Sequence, residues 1–187
     1  NYNTLTALVE SQHQEGVLYA GSDDGMLHIT KNGGTTWENI TPKEIQDGII
    51  NSIDISEHDP ATAYVGVMRY KSMDLNSYIF KTNDYGQSWT KSVKGLNDSN
   101  GFARVVRADK KRKGLLYAGT ETGLYVSNDD GTFWQRLNLN FPVVAINDLI
   151  IQDNDLVAAT SGRGFWILDD LAALQNMAKN NKDIEIY

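Results

Sequence analysis

Apolar and polar positions alternate along this chain in short runs, and turn residues separate the runs at regular intervals. Four successive runs at residues 101–138 show the pattern best: 102–109 alternates, 114–120 (GLLYAGT) is almost wholly apolar, 123–128 (GLYVSN) follows, and 134–137 closes the group. Period-two alternation bounded by turn residues predicts β-strands, and strands linked this tightly predict an antiparallel meander. The same four-part pattern falls at 5–10, 17–21, 26–30 and 37–40, and again at 49–56, 63–67, 78–82 and 89–93. A fourth group begins in the same way at 146–152, 156–160 and 165–168. It then departs, because Asp169 and Asp170 precede a run with Leu171, Leu174, Met177 and Ala178 spaced by three or four. An acidic residue ahead of such a run predicts a capped helix, over about 170–180. Residues 183–187 would be an exit segment.

Three near-copies of one turn punctuate the pattern. Thr30, Asn32, Gly34 and Trp37 form the first, Thr82, Asp84, Gly86 and Trp89 the second, and Ser127, Asp129, Gly131 and Trp134 the third. The shared spelling is Ser/Thr-x-Asp/Asn-x-Gly-x-x-Trp. The Asp or Asn side chain can accept backbone N–H bonds and close a turn, and the Gly supplies a positive φ. The hydroxyls tie the two arms, and the Trp is expected to bury its ring at the root of the next strand. A repeat of roughly 50 residues is a mark of solenoids and propellers. Four-stranded meanders with one such turn each are expected to be blades of a β-propeller. The expected organisation is an all-β propeller segment over 1–170, with repeats at about 3–40, 49–93, 101–138 and 145–170. The last blade lacks its outer strand, and 171–187 form a short C-terminal helix and exit segment. A stack of meanders folding as a β-sandwich is the alternative.

Composition narrows the chemistry. The chain of 187 residues has no cysteine, which excludes disulfides, cysteine-ligated zinc and thiol catalysis. A formal net charge of −7 argues against a nucleic-acid partner, whose phosphates need cationic contacts. Lys110, Lys111, Arg112 and Lys113 form a short basic run, read as a solvated turn. There is no apolar run of about 18 residues, so membrane insertion through a helix is not expected. The chain opens on Asn1, not Met, and reads as an excised or processed piece whose lack of a leader says nothing of its address.

The turns, together with LYAGSDDGMLHITKNGGTTW, HDPATAYVGVMRY, YIFKTNDYGQSWTK, RKGLLYAGTETGLYVSNDDGTFW and GRGFWILDDL, resemble a known repeat. It is the Asp-box, or bacterial neuraminidase repeat, found in sialidases, sortilin-type receptors and tandem-propeller xyloglucanases. The longer strings resemble large, mostly bacterial exported proteins described as sortilin-like or glycosyl-hydrolase-like, over about residues 18–174. The resemblance implies a β-propeller and a secreted, periplasmic or cell-surface location. It implies little about chemistry.

In a propeller blade the loop between strands two and three lies on the face opposite the strand three–four turn, where the boxes sit. Attention therefore moves to the loops at 22–25, 68–77, 120–123 and 161–164, with the blade connections at 41–48, 94–101 and 138–145. The 68–77 loop is the longest, and long loops on a rigid scaffold tend to carry function. In it Arg69, Tyr70 and Lys71 suit a carboxylate or a sugar ring, with Asp74 as their counter-charge, and Arg163 adds positive charge on the fourth blade. A glycosidase needs two facing carboxylates or a tyrosine nucleophile, and Asp23, Asp24 and Glu121 are the catalytic candidates. Sialidases also carry an arginine triad and an Arg-Ile-Pro motif; Asn140-Phe141-Pro142 lacks the arginine. His13, His28 and His58 have no metal-ligand spacing, so no metal or other cofactor is expected. The leading expectation is a non-catalytic propeller segment of a larger exported protein, presenting a surface to a glycan, peptide or protein. Part of a sialidase- or xyloglucanase-like glycoside hydrolase is the alternative. Partners of its own exposed edges would be further blades or a second copy.

Overall fold

A computed structural model describes residues 3–45, 47–96, 101–137 and 140–177. It forms four separate antiparallel sheets, each with its strands in sequence order. Blade 1 is β1 (Leu5–Glu10), β2 (Leu18–Ser22), β3 (Leu27–Thr30) and β4 (Glu38–Asn39). Blade 2 is β5 (Ile49–Ile55), β6 (Ala63–Arg69), β7 (Asp74–Thr82) and β8 (Thr90–Lys91). Blade 3 is β9 (Ala103–Ala108), β10 (Leu116–Thr120), β11 (Leu124–Ser127) and β12 (Gln135–Arg136). Blade 4 has three strands, β13 (Ile146–Gln152), β14 (Asp155–Thr160) and β15 (Phe165–Leu168), followed by helix α1 (Ala172–Asn176). The chain is an all-β propeller segment of four blades with the last one incomplete. A two-sheet sandwich would merge these strands into two sheets, and the four sheets remain distinct.

The first strands of successive blades pack on one another, β1 on β5, β5 on β9 and β9 on β13. Three apolar cores fill the joints. Tyr19, Ile50, Val65 and Phe80 lie between blades 1 and 2, and Tyr64, Ile79, Val106 and Tyr125 between blades 2 and 3. Tyr117, Val126, Ile146, Leu149 and Leu156 lie between blades 3 and 4. Each first strand carries a bulge near its start, beside Leu5, Ile50, Ala103 and Ile146. A bulge re-aims one side chain, and here it reaches across the joint. Thr6 donates its hydroxyl to the Ile50 carbonyl at 2.7 Å, and Asn51 donates its amide to the Arg104 carbonyl at 2.7 Å. His13 and His58 make the matching contacts one turn away, to the carbonyls of Ser56 and Asp109.

The three box turns close as their residues dictate. In the second, the Thr82 hydroxyl donates to Asp84 at 2.7 Å and accepts from the Gly86 N–H, and Asp84 accepts the Ser88 N–H at 2.9 Å. Gly86 sits at φ +85°, which an L side chain adopts only at a cost. Four donors converge on Asp84, led by the Ser88 hydroxyl and then the Ser88 N–H, and hold its carboxyl down at about 2. Thr30 with Asn32 and Ser127 with Asp129 repeat the geometry.

The tryptophans make a contact that the turn spelling does not predict. Trp134 is buried and donates Nε1–H to the Ser92 carbonyl of blade 2, and Trp89 donates to the Ile40 carbonyl of blade 1. The box Trp, at the root of its own next strand, thus also docks on the preceding blade's outer strand. Among the described residues no blade precedes Trp37, and it is 43% exposed. The fourth strands shrink to two residues each, because the box turn and the Trp anchor occupy their flanks.

The helix is shorter than the 170–180 its spacing predicts. Asp170, at φ +56°, accepts the Ala172 N–H at 3.0 Å, and α1 ends where Met177 turns extended. Leu171 and Leu174 are buried against the joint between blades 3 and 4. The remainder of the expected helix and the 183–187 exit segment lie outside the described residues.

Candidate functional site

On the face away from the boxes, loops of blades 1 and 2 enclose a cleft of about 310 Å³. The β2–β3 turn supplies Asp23 and Asp24, the connection into blade 2 supplies Asp47 and Gly48, and the β6–β7 hairpin supplies Met68, Arg69, Lys71 and Ser72. Two separate expectations therefore meet: the acids Asp23 and Asp24 and the bases Arg69 and Lys71 line one cavity. Glu121 and Arg163 are not part of it. Glu121 pairs with Arg104 on blade 3. Arg163 occupies the β14–β15 turn, exposed, and its carbonyl accepts the Trp166 Nε1–H.

The 68–77 segment is not the loop its polarity suggests. β6 runs to Arg69, one 3₁₀ turn spans Tyr70–Ser72, and β7 begins at Asp74. Blade 2 thus carries a hairpin taller than its neighbours. Met73, at φ +59°, closes its tip, and its N–H bonds the Tyr70 carbonyl at 3.0 Å.

Arg69 is the hub of this hairpin. Its guanidinium donates to Asp47 at 2.7 Å, to Asp74 at 2.8 Å and to the Tyr78 hydroxyl at 3.1 Å. It also lies 5.3 Å from the Tyr78 ring centroid. The Tyr78 hydroxyl donates in turn to Asp74 at 2.7 Å, and the Ser72 hydroxyl donates to Asp47 at 2.5 Å. Gly48, at φ +131°, lets the Arg69 stem pass: an added Cβ would lie 2.9 Å from Arg69 Cγ and 3.0 Å from the Met68 carbonyl. The arginine is thereby bridged between two carboxylates, and its charge is balanced inside the protein.

The same bonds set the proton affinities. The Ser72 hydroxyl, then Arg69, holds Asp47 below the usual carboxylate range. Asp23 accepts the backbone N–H groups of Thr4 and Asn3 and is likewise lowered, chiefly by Thr4. For Asp74 burial pulls upward, but the Tyr78 hydroxyl, Asn76 and Arg69 outweigh it and the net shift is down. Asp47 was legible only as part of a connection; nothing in the sequence pairs it with Arg69.

Around the cleft the hairpin displays apolar surface. Tyr70 stacks on Phe102 with centroids 5.8 Å apart, and its outer side stays exposed. Leu75 is exposed and Met73 is 90% exposed. The site is an acidic pocket with a balanced arginine in its wall, and the hairpin that supplies this wall carries exposed apolar side chains outside the lining. Among the described residues no group of three or more His, Asp or Glu is arranged to hold a metal ion, and no helix is long and apolar enough to cross a membrane.

No family model matches the chain, and no curated protein matches it. Its fold does match solved structures. YCF48 bound to a D1 peptide superposes with a TM-score of 0.66 at 20% identity, over 89% of this chain and 52% of that one. A GH74 enzyme of Niastella koreensis superposes with a TM-score of 0.68 at 14% identity, over 91% of this chain and 29% of the other. The GH74 xyloglucanase of Xanthomonas campestris gives 0.66 at 15% identity, over 87% and 29%. The chain spans about half the length of the first of these and under a third of the others. At such identities the likeness carries architecture and no chemistry, and it sets the chain among the β-propellers.

Proposed function

We propose that this chain is a non-catalytic propeller segment whose cleft between blades 1 and 2 binds an extended peptide or protein segment. The chain is read as part of a larger exported protein of the Asp-box, sortilin-like kind, on the strength of its box turns and longer strings. One observation carries the binding reading: Asp23, Asp47 and Arg69 are spent on internal bonds, while Tyr70, Met73 and Leu75 stand exposed beside them. A hydrolase needs a carboxyl poised to give up a proton near neutral pH. In this cleft Asp23 and Asp47 are pulled the other way, and Asp74 beside it is too. Exposed apolar groups around an acidic pocket suit a segment that carries a basic residue flanked by apolar ones. Peptide capture by the YCF48 propeller is consistent with this use of the fold.

The test is fluorescence anisotropy of a positional peptide library against the chain, with a parallel screen for turnover of xyloglucan and sialosides. Saturable binding of basic–apolar peptides is expected. It should weaken roughly ten-fold or more in a Met73→Ser/Leu75→Ser variant, whose altered side chains are exposed and leave the fold intact. Glycan turnover abolished by Asp24→Asn in a folded protein would overturn the reading.

A further inference from the structure

Arg69, Arg104 and Arg107 differ in how far their guanidinium groups are engaged. Arg69 is bridged between Asp47 and Asp74 and also bonds Tyr78. Arg107 spends Nε on the Leu149 carbonyl, Nη1 on Ser52 and the Val106 carbonyl, and Nη2 on Asp148. Arg104 gives only Nε, to Glu121; among the described residues its Nη1 and Nη2 donate to no oxygen. The backbone explains the difference. Arg104 is the bulged residue of β9, the counterpart of Thr6 in β1 and Asn51 in β5. Those two side chains cross a joint to a carbonyl of the next blade. Arg104 instead turns to the β10–β11 turn of its own blade, where Glu121 sits. A bulge that re-aims a side chain in this way is common beside binding and active sites.

The arginine is also held next to the cleft. Its guanidinium carbon lies 5.4 Å from the Phe102 ring centroid, and Tyr70 stacks on the same ring. Phe102 forms one buried cluster with Ile49 and Met68, both of which line the cleft. The blade 2 hairpin thus stands between two polar groups, Asp23 and Asp24 toward blade 1 and Arg104 toward blade 3. The Arg104 side chain remains 27% exposed. Its plane is fixed by Glu121 and the Phe102 ring, so little rotamer freedom is lost when a ligand engages it. The remaining edge offers the parallel N–H pair of Nη1 and Nη2, which matches a carboxylate. A phosphate suits it less, because its second negative charge would meet Glu121. Arg69 shows that one guanidinium in this protein holds two carboxylates at once.

We propose that Arg104 takes a carboxylate of the peptide whose basic residue occupies the cleft. The ligand is then read on both sides of the hairpin, as a cation at Asp23 and Asp24 and an anion at Arg104. The apolar residues between them lie over the hairpin, where Tyr70 is exposed. The assignment rests on the peptide-binding reading above and adds the sign and place of a second charge. The carboxylate belongs to an acidic side chain or to the end of the peptide.

Isothermal titration of the 187-residue chain with end-blocked peptides tests this. Each peptide carries a Lys among apolar residues and a Glu at each remaining position in turn, with a Gln peptide as control. At the favoured position Glu should bind roughly ten-fold more tightly than Gln. Arg104→Lys keeps the charge and loses the fork, and should abolish that preference. The preference for Lys over norleucine in the peptide should survive the same substitution. Arg104→Gln/Glu121→Gln removes the pair without stranding a charge and should behave alike. Replacing Glu by a free C-terminal carboxylate tells the two sources apart, and tighter binding of either supports the assignment. Lys peptides that bind with no preference for a carboxylate, or a preference that survives Arg104→Lys, would overturn the proposal and leave the peptide-binding reading standing. Absence of any peptide binding would overturn both. A phosphoserine peptide or a sialoside held through Arg104 in place of the Glu peptide would overturn the proposal as well.

Discussion

Gly66 and Gly119 occupy the same position in successive blades, yet adding a methyl group should have opposite consequences at the two. Neither has a positive φ, so alanine meets no backbone penalty at either and the outcome rests on space alone. At Gly119 the new Cβ would lie 2.6 Å from Ile146 Cγ2 and 2.7 Å from Val105 Cγ1. Ile146 is wholly buried and Val105 almost so, with no route to solvent. Overpacking of this kind costs about 1–3 kcal/mol. At Gly66 the nearest atoms are Ser52 Cβ at 3.4 Å and the Arg104 carbonyl at 3.6 Å, which is ordinary contact, because Ala103 stands where the other two joints have isoleucine. Gly66→Ala should be neutral or stabilising by about 0.4–1 kcal/mol through the loss of unfolded-state freedom. For a chain of this length each kcal/mol moves Tm by about 2–4 °C. The two variants should thus move in opposite directions in a thermal melt followed by circular dichroism. Ile146→Ala alone should cost about 2–5 kcal/mol, and the Gly119→Ala/Ile146→Ala double variant should be better than the sum by more than about 0.5 kcal/mol. Equal melting temperatures for Gly66→Ala and Gly119→Ala, or strict additivity in the cycle, would refute the knob-and-socket account of the joints.

Two further outcomes follow from the same joints. Trp134→Phe removes a buried donor to Ser92 and should cost about 1–3 kcal/mol, while Trp37→Phe, at a 43% exposed side chain, should stay within about 0.5 kcal/mol of the parent in urea unfolding. Asp54 accepts the Ala108 N–H across the joint between blades 2 and 3, and burial pushes its carboxyl up to about 6 despite that bond and the nearby Arg107. Since the folded state binds this proton more tightly than the unfolded chain, with its value of about 3.9, the contribution is greatest below that value. It is lost as pH rises through about 6, and amounts to about 3 kcal/mol at most. Asp54→Asn should flatten the stability profile over that interval, and an Asp54 carboxyl titrating below 4 by NMR would contradict it.

The blades were legible because the strand pattern and the box turn repeat, so that each copy corrects the reading of the others. Boundaries slipped where tertiary contacts intervene. Residues 74–77 are mostly polar and read as loop, but pairing of Asp74 with Arg69 extends β7 through them. The joints were not legible, because the side chain that crosses each one differs in type: Thr6 at the first and Asn51 at the second. In the cleft, Asp23, Asp24, Arg69 and Lys71 were each visible as chemistry on loops of one face. That they share a cavity depends on blade 1 lying against blade 2, which no local pattern encodes. Asp47 was hidden because its partner Arg69 is 22 positions away, at the end of β6.

The docking of each box tryptophan on the blade before it sets a direction in time. Trp89 reaches back to Ile40, and Trp134 reaches back to Ser92. The group that fastens a blade's outer strand is therefore made by the ribosome almost a full repeat after that strand. At roughly 5–20 residues per second, a nascent blade waits some seconds with its outer edge unfastened before the next tryptophan arrives. Assembly from the N-terminal side then proceeds as a ratchet, each new blade locking the last and leaving only its own flank bare.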